Sequence, residues 1–197
     1  MSAVKKLTAA DLLGLELYAR QRADIRARVI AHKRTRIVHI GPHVTWIFED
    51  RETIRYQIQE MLRAERIFEQ QGIQDELDAY NPLIPDGGNW KATFMLEYPD
   101  ESERRAALMR LKGVEDRCWV QVAGCERVYA IADEDLEREN EEKTSSVHFL
   151  RFELTAAMRQ AVKAGAAVAI GVDHPNYQHQ LASVPQAVRD SLAQDIA

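Results

Sequence analysis

Arg36-Ile37-Val38-His39-Ile40-Gly41-Pro42-His43-Val44-Thr45-Trp46-Ile47-Phe48-Glu49 is the stretch whose reading decides the fold class. Two runs rich in β-branched and aromatic residues, Arg36–Ile40 and Val44–Glu49, flank Gly41-Pro42-His43. That connection is a turn, too short for the crossover that parallel strands need, so the runs pair as an antiparallel hairpin. Alternation then sets Val44, Trp46 and Phe48 on one face and Thr45, Ile47 and Glu49 on the other.

Outward from the hairpin the pattern keeps changing. Before it, Tyr18, Ile25, Val29 and His32 make one stripe of a helix over Ala19–Lys33. After it, a long helix is expected from Arg51 to Gln71, stopped at Gly72, with a short one over Gln74–Tyr80 ended by Asn81-Pro82. Strands are expected at Lys91–Tyr98, Arg117–Val122, Glu126–Ile131, Val147–Leu154 and Ala166–Val172, and helices at Glu101–Leu111, Thr155–Ala164 and Val184–Ile196. Seven strands and six helices without βαβ repetition read as α+β, a mixed, largely antiparallel sheet with helices packed on it, in one domain.

Composition bounds the function. The 197 residues are 46% hydrophobic and 29% charged, with a net charge of -5, which excludes a disordered chain. No apolar run approaches the roughly 18 residues of a membrane span, and no signal-peptide core follows Met1. Two cysteines cannot make a disulfide framework, so a reducing cytoplasm is expected. Cys118 and Cys125 lack the further ligands of a zinc or iron–sulfur centre. Nucleotide-binding, zinc-protease and serine-hydrolase motifs are missing.

Charge is segregated. Residues 1–72 carry a balance of +4 and the remainder -9. Arg20, Arg22, Arg26, Arg28, Lys33, Arg34 and Arg36 form a basic segment opposed only by Asp24, a docking surface for an acidic partner. No groove-reading or stacking motif accompanies it, so nucleic acid is not the expected partner. The run over residues 133–146 opens with seven acids in ten residues and reads as a solvated surface excursion.

Three groups of residues suggest chemistry. On the long helix, counted from Ile54, Glu65 falls at about 20°, inside the apolar stripe of Ile58, Met61, Leu62 and Phe68. A carboxylate there needs an arginine, a metal ion or a catalytic role, whereas Glu60, Arg63 and Arg66 read as surface charges. On the strands, Glu49, Glu97 and Glu153 each sit near a strand end on the more polar face. If those strands are neighbours, the three carboxylates and His39 suit non-haem iron or manganese, and otherwise they make cross-strand pairs with groups such as Arg151. Near the C-terminus, Asp173, His174 and Tyr177 follow an apolar strand, with Asp173 placed to cap a short helix carrying Pro175. They serve either in proton transfer or as a cap with packed rings.

Four segments carry a family resemblance: His39-Ile40-Gly41-Pro42-His43-Val44-Thr45 through Phe48-Glu49-Asp50-Arg51-Glu52-Thr53, Gln59–Arg66, Leu77–Pro85, and Gly171-Val172-Asp173-His174-Pro175 with Tyr177. Together they resemble a functionally uncharacterised bacterial family of about this length, catalogued only as a domain of unknown function. The resemblance implies a single domain and supplies no catalytic residue. It also implies a gene neighbourhood containing rubrerythrin and a cysteine-rich iron–sulfur oxidoreductase, hence a place in peroxide defence or electron transfer. The expectation is therefore a cytoplasmic accessory protein docking onto a redox metalloprotein. The alternative is a small metal-dependent enzyme or sensor built on the Glu/His groups.

Overall fold

The hairpin forms as read. In the computed structural model, which describes residues 5–134, 138 and 142–197, β1 (Ile37–Ile40) and β2 (Val44–Phe48) run antiparallel, Val38 opposite Trp46. Gly41 turns the chain with φ of 72°, a left-handed conformation that suits glycine. Beside β2 lies β3 (Asn89–Leu96), then β7 (Val147–Glu153) and the short β6 (Ile131–Ala132), every neighbour antiparallel.

A second antiparallel sheet holds β5 (Arg127–Tyr129), β4 (Cys118–Val122), β8 (Val168–His174) and β9 (Tyr177–Leu181), in that order. The single sheet expected from sequence is thus two, and the described residues hold nine strands rather than seven. The run read as one strand over Glu126–Ile131 is divided at Ala130, where the chain leaves one sheet for the other. Residues 177–181 form a strand because Pro175-Asn176 makes a hairpin turn, not the first turn of a helix.

The apolar faces of both sheets share one core. Trp46, Phe48, Trp90, Phe94 and Phe152 from the first sheet join Val120, Val122, Val168 and Ile170 from the second. Helices α4 (Glu101–Arg110), α5 (Ala156–Lys163) and α6 (Gln186–Ala193) close it with Leu108, Met158, Val162, Val188 and Leu192. Burying each large side chain contributes roughly 1.5–3 kcal/mol. The Trp90 indole N–H donates to the Leu192 carbonyl at 3.0 Å, so its burial leaves no orphan donor.

A smaller core serves α1 (Leu15–Lys33), α2 (Arg51–Glu65) and α3 (Gln70–Tyr80), centred on Ile54, Ile58, Leu62 and Leu77. Asp50 caps α2, accepting from the amides of Glu52 and Thr53 at 2.9 Å. The long helix expected to Gln71 stops earlier. Arg66 takes φ of 56°, and both its amide and that of Ile67 bond the Leu62 carbonyl. This turn tucks Ile67 against the small core, leaves Phe68 71% exposed and starts α3, in which Gly72 is an interior residue. Among the described residues no helix is long and apolar enough to cross a membrane.

Candidate functional site

The basic segment divides into free and committed cations. Helix α1 buries only Tyr18 and Val29 and leaves Arg20, Arg26 and Arg28 exposed, with Arg34 exposed at its C-terminal end. Lys33 is half-buried. Arg22 is engaged, its Nε and Nη2 donating to the two Glu60 oxygens at 2.8 and 2.7 Å while the Tyr18 hydroxyl donates to Glu60 Oε1 at 2.6 Å. The Arg22 bonds hold the Glu60 carboxyl down at about 2, and burial beside that carboxylate pushes the Tyr18 phenol up. Glu60, read from sequence as a surface charge, is therefore the anchor between α1 and α2.

Arg36 belongs to the interior, and its assignment to a docking surface is corrected. It is 1% exposed, and its guanidinium donates to the carbonyls of Phe48 (2.8 Å) and Glu49 (3.2 Å) and to Ser191 Oγ (3.0 Å). It also pairs with Asp195 and, at 3.3 Å, with Asp50. Asp50 in turn contacts His32 Nε2 at 2.5 Å. Burial works to raise the Asp50 carboxyl, but Arg36, the Thr53 amide and His32 hold it below the usual carboxylate range. At Asp195 burial prevails over Arg36 and pushes the carboxyl up to about 6.

Glu65 is not turned inward. It is the last residue of α2 and exposed, close enough to Glu76 on α3 to help raise that carboxyl. The helical angle does set it on the side of α3, near Glu76, but the position is exposed. The buried-acid expectation at this position is overturned.

The strand carboxylates share a face of the first sheet without meeting. Glu97 accepts from Thr45 Oγ1, which lies 2.9 Å from His39 Nδ1. Glu49, four residues beyond Thr45 on one chain, accepts from Thr53 (2.5 Å) and Thr93 (2.6 Å). At about 3.4 Å rise per residue those two groups lie roughly 14 Å apart. Glu153 sits opposite Asn89, bonded to it at 3.0 Å and paired with Arg151. Neighbouring strands are present as required, but each glutamate has its own partners, so the centre expected from His39, Glu49, Glu97 and Glu153 does not assemble.

Asp173, His174 and Tyr177 also separate. His174 Nε2 lies 3.0 Å from the Lys112 carbonyl, and its Nδ1 accepts from the Asn176 amide at 3.2 Å. The Tyr177 hydroxyl donates to the Ile40 carbonyl at 2.6 Å and accepts from the amides of His43 (3.1 Å) and Val44 (3.2 Å). Asp173 caps no helix; it accepts from Tyr129 at 2.6 Å. Tyr177 ties the β1–β2 turn to the second sheet and His174 ties the β8–β9 hairpin to the chain after α4, which makes them positioning groups rather than a proton relay.

One cluster escaped the sequence reading. His148 on β7 is 0% exposed and projects into the interior. Its Nδ1 lies 2.5 Å from Asp133 Oδ2, and its Nε2 lies 2.9 Å from Thr144 Oγ1, 3.0 Å from the Ser145 carbonyl and 3.7 Å from Glu115 Oε2. Arg138 reaches Asp133 at 3.3 Å and stacks over the Phe149 ring. Burial lowers the His148 imidazole, but Asp133 and Glu115 more than compensate and hold it above its ordinary value. The signal was present, since His148 precedes Leu150, Phe152 and Leu154 in period two and so belongs to the apolar face. Asp133 and Thr144 bound the acidic run, of which residues 135–137 and 139–141 lie outside the described residues.

The two cysteines are unpaired thiols, and burial pushes the Cys118 thiol well up, which suits a core residue rather than a nucleophile.

Comparison with known proteins agrees on family and fold. The model of a family described as "Protein of unknown function (DUF3501)" matches residues 6–196. A crystal structure of a novel protein of unknown function from Burkholderia pseudomallei K96243 is similar, with 57% identity and a TM-score of 0.94 over 98% of this chain and 100% of that one. No curated protein matches.

Proposed function

From the premise that this chain belongs to the DUF3501 family, we propose that it is an accessory protein that docks through α1 onto an acidic face of a redox metalloprotein. One observation carries the reading: α1 spends 19 residues to bury two, and keeps Arg20, Arg26, Arg28 and Arg34 in solvent. Arg26, Ile30 and Arg34 follow one another at four-residue spacing, so a 44% exposed apolar side chain lies between two cations. Such a mixture of exposed apolar and cationic groups suits an acidic protein surface better than simple solvation does. The partner class, a rubrerythrin-like or iron–sulfur protein, comes from the gene neighbourhood that the family resemblance implies.

Co-purification from the native host tests this. At low ionic strength the chain is expected to retain a rubrerythrin-like or iron–sulfur protein, and to release it near 0.5 M salt, where screening shrinks to a few ångströms. Arg20→Glu, Arg26→Glu and Arg28→Glu together are expected to abolish retention while the circular dichroism stays unchanged. An empty pull-down at low salt, or one indifferent to the triple variant, refutes the docking reading.

A further inference from the structure

We infer that Glu115, Thr144 and His148 form a binding site for one first-row divalent transition-metal ion, with Asp133 orienting the imidazole. The inference is independent of docking through α1, which uses other elements.

Among the described residues one group of three His, Asp, Glu or Cys side chains brings ligand atoms together, Glu115, Asp133 and His148, all within 4.8 Å of one another. Their roles differ. Asp133 Oδ2 at 2.5 Å from Nδ1 is a hydrogen-bonding distance, too short for two ligands of one ion. It is the contact by which a carboxylate fixes a metal-binding histidine, holding the proton on one nitrogen and aiming the other.

The nitrogen so aimed is Nε2, and the atoms before it have the spacing of a coordination shell. Ions of this class hold N and O ligands at about 2.0–2.2 Å, which places adjacent ligands roughly 2.8–3.6 Å from one another, the shorter spacing octahedral and the longer tetrahedral. Here Thr144 Oγ1 to Glu115 Oε2 is 3.5 Å and Thr144 Oγ1 to Nε2 is 2.9 Å, while Nε2 to Glu115 Oε2, at 3.7 Å, closes by about 0.1 Å to fit. The Ser145 carbonyl adds a fourth donor at 3.0 Å from Nε2. One imidazole, one carboxylate, a hydroxyl and a carbonyl favour Mn2+, Fe2+ or Zn2+ over Mg2+ and Ca2+, which take all-oxygen shells.

Three segments supply these groups. Glu115 lies in the turn before β4, Thr144 and Ser145 at the end of the acidic run, and His148 on β7. Glu115 and His148 are buried, so the ion would be shielded from water, and Arg138 beside Asp133 balances the second carboxylate. The ion takes the Nε2 lone pair, so any proton on that nitrogen leaves to solvent.

Titration of the full chain with MnCl2, followed by the electron paramagnetic resonance of free Mn2+, tests the site. One equivalent of signal is expected to disappear, and ZnCl2 is expected to restore it by competition. Glu115→Gln and Asp133→Asn are each expected to weaken Mn2+ binding 10- to 100-fold, while Glu97→Gln leaves it unchanged. If wild-type protein leaves the Mn2+ signal intact at millimolar metal, the inference is overturned. It is equally overturned if both variants, folded by circular dichroism, bind as the wild type does, since the ion then sits on the acidic run. Should those variants fail to fold, Thr144→Val takes their place, and Mn2+ binding by it equal to that of the wild type overturns the inference.

Discussion

The guanidinium of Arg36 and the carboxylate of Asp195, 159 positions apart in the chain, pair in the interior. The same cation serves Asp50 at the head of α2 and the carbonyls of Phe48 and Glu49 at the end of β2. One side chain thus joins the helical N-terminal region, the first sheet and the end of the last helix. Removing it strands two half-buried acids. Arg36→Met is expected to cost about 3–5 kcal/mol, the range for breaking a buried ion pair from one side, measured by urea denaturation at neutral pH. A loss under 1 kcal/mol would mean that water replaces the guanidinium without difficulty.

The two acids on Arg36 respond to pH with opposite sign. The Asp195 carboxyl is pushed up to about 6 from 3.8, so the folded protein holds its proton more tightly than the unfolded chain does. Stability from this group is full below about pH 4 and declines as pH rises toward 6. Asp50 is held low, so its contribution is present above about pH 4 and is lost on further acidification. Denaturation midpoints taken between pH 4 and 7 are expected to fall less steeply in Asp195→Asn than in wild type. Identical slopes would contradict the burial of this acid.

Neighbouring glutamates on α2 are expected to behave differently. Glu60→Ala leaves the Tyr18 hydroxyl and Arg22 without their acceptor and is expected to cost about 1–3 kcal/mol. Its clearest sign is faster amide exchange along α1. Glu65→Ala, in solvent, is expected to stay within about 0.5 kcal/mol of wild type by thermal denaturation.

Tyr177→Phe removes one donor and one acceptor that together satisfy the Ile40 carbonyl and the amides of His43 and Val44. About 1–3 kcal/mol is the expected loss in chemical denaturation, for unmet buried backbone groups. Gly41→Ala acts at the same place. A Cβ there would lie 2.5 Å from the His179 ring on a backbone with φ of 72°, so destabilisation of about 1–3 kcal/mol is expected.

What could be read from the sequence was whatever depends on near neighbours. Alternation in the hairpin gave Val44, Trp46 and Phe48 as one buried face, and the register confirms it. Helical angles failed at Glu65 for two reasons. The chain leaves the helix at Arg66, and a stripe computed as endless says nothing about where the opposing surface stops. Strand order was beyond reach, because period two is indifferent to which strand lies alongside, so the scatter of Glu49, Glu97 and Glu153 was invisible. Arg36 looked like its exposed neighbours because its partners, Asp50 and Asp195, are supplied by the fold. His148 was the legible exception, a lone imidazole in phase with Leu150 and Phe152.

The last helix has a consequence for biosynthesis. Leu192 accepts from the Trp90 indole, and Ile196 closes the same core, so neither sheet's interior is sealed until α6 has left the ribosome. Until α6 has emerged, a nascent chain carries its aromatic strands uncovered, the kind of apolar surface that chaperones grip during synthesis.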